Sequence, residues 1–196
     1  MTTRSELARA SLLDVAHAIN DALEEAEYAG SEKERLAVSC LEIALEHQSA
    51  ILRLGTDEAY GAMFALLRPM AEAYVRGTWL FRCADEKGVR AFKTAKLKKF
   101  ADLLADIERS QGCGVKAPIK KVVDDLHDFT HTGINQVLRR MIVGGHYPDD
   151  DLAKAYNLAS TFGLFAALEL ASLATDHAQL VPKVATCVQD FLPLKA

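Results

Sequence analysis

The chain has 196 residues, 50% of them hydrophobic and 26% charged, with a formal net charge of −4. That is too apolar for a disordered chain and long enough to close a substantial core. The acidic balance excludes a global electrostatic pull toward nucleic acid and leaves only a local basic patch to supply one.

At this length one domain, residues 1–196, is the expectation. Four cysteines, Cys40, Cys83, Cys113 and Cys187, are scattered with no Cys-x-x-Cys, which fits a reducing compartment. The N-terminal MTTRSELARASLLDVAHAIND carries no apolar h-region, so no secretory signal is expected. The most apolar window, Leu158–Thr175, contains Ser160, Thr161, Gly163, Glu169 and Ser172 and reads as a buried core helix, not a membrane span. A cytoplasmic protein with no membrane contact is expected.

In chain order, residues 4–28 predict an amphipathic helix, with Leu7, Leu12, Val15, Ile19 and Leu23 at helical spacing. Gly30 ends it, and Ser31 with Glu34 forms a capping box for a second helix. That helix runs to about Leu54, carries Glu46 and His47, and is stopped by Gly55. Thr56 is placed to cap a third helix, from about Asp57 to Ala84. Between Ala59 and Phe81 its only charged residues are Arg68, Glu72 and Arg76, so it belongs at the centre of a bundle. Pro69 lies inside it and predicts a kink or the local loss of one backbone bond.

A short charged helix follows from Asp85 to about Ala95, then an amphipathic one over Leu97–Ser110. QGCGVKAP (111–118) reads as a loop, with Pro118 in the first turn of the next helix. That helix breaks or tightens at Thr132-Gly133 and continues to about Ile142. GGHYP (144–148) is a second loop. Asp149–Asp151 supply caps and favourable charge for a long helix to about Thr175, and a short helix covers Val181–Leu192. No strand pattern or internal repeat occurs. The fold class is all-α: a helical bundle of about six to eight helices, four long ones forming the core.

Two stretches carry chemistry. Arg68, Glu72 and Arg76 stand at i, i+4, i+8 on one side of the third helix, with Trp79 in the same sector. Buried charge is rare unless paired, and two arginines against one glutamate leave a positive charge over. A structural network with other acceptors and a ligand-facing site are both open readings. The second stretch is HDFTHTGINQVLRR (127–140). His127 and His131 share a face with Val123, Ile134, Leu138 and Met141, which points both imidazoles inward. The pair has a metal-ligand spacing, and Asp124 is a third ligand or an orienting partner. His131 bonded to Glu72 or to a backbone carbonyl, fixing two helices, is the plainer reading. A shared site requires Glu72 and His131 to lie within about 8 Å of each other.

His47, His127 and His131 together resemble the three-histidine layout of DinB-like four-helix bundles, although Thr-Gly-Ile follows the second histidine where that family tends to have Arg-Gly-Gln. Arg139 or Arg140 with His146 matches the Arg-x(4–6)-His pattern of HEPN-type ribonucleases, a pattern that chance readily supplies. The segments EHQSAILRL (46–54), ALLRPMAEAYVRGTWL (65–80) and DFTHTGINQVLRR (128–140) resemble a bacterial family of unknown function, of the abortive-infection and HEPN-like helical type. The resemblance implies a helical fold and shared polar residues Arg68, Glu72, Arg76, Trp79, His131, Gln136 and Arg140. It implies no activity.

The functional expectation is an interaction or effector module with a polar site built from Arg68, Glu72, Arg76, Trp79, His131, Gln136, Arg139 and Arg140. It calls for no cofactor and no metal. The expected partners are a second copy of the chain, as a homodimer, and a protein or RNA. The alternatives are a HEPN-like ribonuclease or toxin, and a metal-binding bundle using His47, His127 and His131. Lys93–Lys99 with Lys116, Lys120 and Lys121 reads either as phosphate contacts or, more simply, as a solvated helix face.

Overall fold

The computed structural model describes residues 2–112, 114, 116–126, 133–141 and 147–191, the side chains of 135, 136 and 140 excepted. Those residues form nine helices and no strand: α1 (Arg4–Leu23), α2 (Glu32–Thr56), α3 (Tyr60–Arg82), α4 (Glu86–Lys93), α5 (Phe100–Gln111), α6 (Lys116–Asp125), α7 (Ile134–Met141), α8 (Asp149–Leu173) and α9 (His177–Phe191). The all-α bundle and its four long core helices, α1, α2, α3 and α8, are as the hydrophobic periodicity implied. No helix among the described residues is long and apolar enough to cross a membrane.

Local chemistry starts the first two helices. Thr3 accepts from the Glu6 amide while the Glu6 carboxylate accepts from the Thr3 amide at 2.7 Å, and Ser31 with Glu34 repeats the arrangement on α2. Each box satisfies two amides that have no partner inside their own helix. Tertiary contacts override the simpler punctuation elsewhere. The first helix ends at Leu23, not at 28, and the carbonyl of Glu27 in the connection accepts from the amide of Thr175 at 2.9 Å. Gly55 does not stop α2. It is buried inside the last turn, where an added Cβ would lie 2.3 Å from the Tyr156 hydroxyl. Thr56 does not cap the third helix but donates to the Leu52 carbonyl, and α3 starts at Tyr60 without a side-chain cap. Pro69 leaves α3 continuous and removes only the bond that residue 69 would donate to Ala65.

The acidic start of α8 also works differently from the sequence expectation. No side chain caps α8 itself. The Asp149 carboxylate instead accepts from the amides of Arg4 (3.0 Å) and Ser5 (3.2 Å), and so caps α1 from across the fold. Asp150 pairs with Arg4, and Asp151 pairs with Arg139.

Packing is closest where small residues allow it. α2 lies along α3 at Gly77, where a Cβ would sit 2.7 Å from Leu41 Cγ and 3.1 Å from the Ala37 carbonyl. α2 meets α8 at Gly163. There the buried Gln48 amide donates to the Ala159 carbonyl at 3.1 Å, closing a polar bond inside an apolar core. Met63, Leu67, Met70 and Leu80 of α3 and Leu164 and Leu170 of α8 are fully buried, each contributing about 1.5–3 kcal/mol. α9 closes the far end with Leu180 and Val184 against Val15 and Ile19 of α1.

α7 overturns an expectation. Its apolar residues Ile134, Val137, Leu138 and Met141 do share one face, but that face is exposed, with Ile134 62% and Met141 74% accessible. The inward side of α7 carries Arg139, which bonds Asp151 at 2.6 Å. The described face of this short helix that meets the bundle thus carries an ion pair, while its apolar stripe is exposed.

Gly163→Ala would place a Cβ 2.0 Å from Gln48 Nε2, and the amide can yield only by giving up Ala159. We expect a loss of about 2 kcal/mol in denaturant unfolding. Most of that loss should vanish in a Gln48→Ala background. An undiminished loss there would place the clash elsewhere.

Candidate functional site

The charged row of α3 faces the edge of α2. Drifting about 40° per four residues, it stays on one side of the helix. Glu72 stands in the middle and divides its carboxylate: Oε1 accepts from Arg68 Nε and Oε2 from Arg76 Nη2, both at 2.9 Å. Arg68 and Glu72 are each 21% exposed, and Arg76 is 44% exposed. The row thus lies at the border of the core, where local i,i+4 pairing meets much of the desolvation cost.

Opposite stand Cys40, Ile43 and His47 of α2, which the spacing i, i+3, i+7 puts on one face. Phe92 of α4 closes one end. The groove so enclosed measures about 450 Å³, within the size range of small-molecule sites. Its described lining carries two guanidiniums against one carboxylate, one net positive charge. The rest of the wall is largely apolar. Burial lowers the pKa of His47, opposed by Glu46, so the imidazole is neutral at pH 7. Burial pushes the Cys40 thiol up to about 11 against the pull of Arg76, which makes it an inert wall atom, not a nucleophile.

The structure brings Arg68, Glu72 and Arg76 together, and adds His47 to them. The other sequence candidates stand apart or lie outside the described residues. Trp79 is 3% exposed and donates to Asp106 Oδ2 at 3.0 Å, in a different cavity. It follows Arg76 by less than one helical turn, but its indole is engaged by Asp106 on the other side and lines no part of the groove. Arg139 pairs with Asp151 and lies over the Tyr147 ring, 5.4 Å from its centroid, in a third cavity beside Phe64 and Leu67. His127, His131 and His146, and the side chains of Gln136 and Arg140, lie outside the described residues. So does the Glu72–His131 separation. Among the described residues no three His, Cys, Asp or Glu are placed to hold a metal ion, a statement that does not reach His127 or His131. Of the lysines offered as phosphate contacts, Lys93, Lys98, Lys120 and Lys121 pair with Glu32, Asp106, Asp124 and Asp125.

In the sequence, His47 is marked only by its place in a metal-ligand layout with His127 and His131. The spacing of Cys40, Ile43 and His47 did mark a face of α2, but nothing in it named α3 as the neighbour. Phe92 carried no signal, because only the turn between α3 and α4 brings it to the groove.

Fold and site together define an all-α bundle with a groove at the border of its core whose described lining includes two arginines and one glutamate. The chain belongs to a family of unknown function, DUF6988, whose family model matches residues 41–194. No curated protein and no solved structure matches it. The matched span contains every groove residue except Cys40. Membership carries no activity, and no abortive-infection or HEPN-like type.

His47 has a checkable consequence. Its folded pKa lies below the ordinary imidazole value, so the unfolded chain binds the proton more readily. The stability this adds is complete above about pH 6.5 and is lost as the pH falls through the folded value. Urea unfolding between about pH 7.5 and 5 should show that decline, and His47→Gln should flatten it. An equal slope in the variant would assign the proton uptake to another group.

Proposed function

We propose that the protein is a helical binding module whose α2–α3 groove takes a small amphiphilic anion, a carboxylate or phosphate on an apolar body. Arg76 carries the reading. It is the most exposed member of the row, it gives Nη2 to Glu72, and its guanidinium has further donors on the groove wall. Glu72 holds the guanidinium plane in place before any ligand arrives, which lowers the ordering cost of binding. Ile43, Ala73 and Phe92 offer the apolar body a surface. Bound ligand would make the module an interaction or effector element.

Thermal unfolding with hexanoate and hexyl phosphate tests this, with acetate and inorganic phosphate as headgroup controls. At about ten times Kd a ligand adds roughly 1.4 kcal/mol, a rise in Tm of about 3–5 °C for a chain of this size. Arg76→Gln should lose most of the rise. No rise with either amphiphile, or a full rise in the variant, would overturn the reading.

The expected homodimer has one support, the exposed apolar row of α7. Such a row is self-complementary across a twofold axis. Sedimentation equilibrium should show a dimer that Leu138→Glu converts to monomer. A monomeric wild-type chain ends the idea.

A further inference from the structure

A second cavity, of about 420 Å³, is bounded by the C-terminal end of α3, by α4 and by the connection from α4 to α5. Its shape depends on two backbone features. Gly88 lets α4 close on the indole of Trp79, since a Cβ there would lie 2.8 Å from Trp79 Cη2. After α4 the chain reverses at Ala95, whose φ of 54° is left-handed. The amides of Ala95 and Lys96 bond the carbonyls of Phe92 (3.1 Å) and Ala91 (2.8 Å). These are the two bonds of a helix-ending motif that normally has glycine at the position of Ala95. An alanine there is strained, because its Cβ crowds the following carbonyl in the left-handed region. The reversal carries Lys96, Leu97 and Lys98 to the rim of the cavity beside Trp79.

The charges of the wall are unevenly engaged. Asp106 accepts from Trp79 Nε1 at 3.0 Å, Lys98 Nζ at 2.7 Å and Arg109 Nη1 at 3.1 Å. Asp85 caps α4 by accepting from the Gly88 amide at 2.7 Å. Asp106 is therefore neutralised within the protein, while Asp85 keeps its negative charge. The side chains of Lys87 and Lys96 are exposed on the same cavity and make no hydrogen bond or ion pair among the described residues. The lining as a whole sets three lysines against two carboxylates, one net positive charge, and the two exposed ammonium groups of Lys87 and Lys96 stand over a wall of Ala91, Leu97 and indole.

We infer that this cavity is a second ligand site, which takes an anionic group carried on an aromatic ring. Lys87 and Lys96 hold the anion, and Leu97, Ala91 and the edge of Trp79 receive the ring. The site stands on different residues from the α2–α3 groove and does not depend on the reading of that groove.

Trp79 is the one tryptophan of the sequence and lines this cavity, not the groove, so indole fluorescence is the direct reporter on it, and Arg76→Gln should leave the midpoint unchanged. The test is a fluorescence titration with phenyl phosphate and with benzoate, and with inorganic phosphate as the ring-free probe. We expect a saturable change with at least one aromatic anion, and which of the two responds identifies the headgroup. The Lys87→Gln/Lys96→Gln double variant should bind about 10-fold more weakly. Lys121→Gln, on α6 and away from the cavity, should keep the wild-type midpoint. Both lysines are exposed, so far-UV circular dichroism should show the double variant folded. No saturable change by about 10 mM, or an equal midpoint in the folded double variant, overturns the inference. Inorganic phosphate binding as tightly as phenyl phosphate overturns the role given to the ring.

Discussion

The arrangement depends on how closely α2 approaches α3, and that approach is set at position 77. With no side chain on Gly77, Leu41 and the Ala37 carbonyl come within van der Waals reach of the α3 backbone. A larger residue would hold the helices apart along their length, because interiors packed to crystal density transmit displacement and do not absorb it. The same contact brings Cys40, Ile43 and His47 opposite the row that ends at Arg76, one residue before the glycine. Core packing and groove therefore share a cause.

The charges follow from the position of that seam. Arg68 and Arg76 stand at the edge of a helix whose other sides are buried, so their cost is met locally by Glu72, through both carboxylate oxygens. Glu169 shows the other solution. It is buried in α8, burial raises its pKa, and Arg82 at the end of α3 pairs with it across the helices at 2.9 Å. One set of charges is paired along a helix at the edge of a groove. The other is paired across the core and fixes helix against helix.

The fold class was legible because helical periodicity, capping boxes and the near absence of charge in α3 are local signals with local causes. The row of Arg68, Glu72 and Arg76 was legible for the same reason. What failed was long-range. Gly55 reads as a helix stop until Tyr156, a hundred residues on, explains its missing side chain. Asp149 reads as a cap for its own helix, yet caps α1. The apolar stripe of α7 reads as a buried face, yet it is exposed, and Arg139 of the same helix pairs with Asp151 of α8. His47 and Phe92 could not be joined to the row from sequence, because two helix packings decide their place.

The central claim is that Arg76, held by Glu72, is presented to an anion in the α2–α3 groove. The most direct measurement follows the side-chain Nε–H resonances of the arginines by nuclear magnetic resonance during a hexanoate titration. The account predicts a saturable shift of the Arg76 resonance while that of the surface residue Arg90 stays in place. An unmoved Arg76 resonance, or equal drift at Arg76 and Arg90, would contradict it.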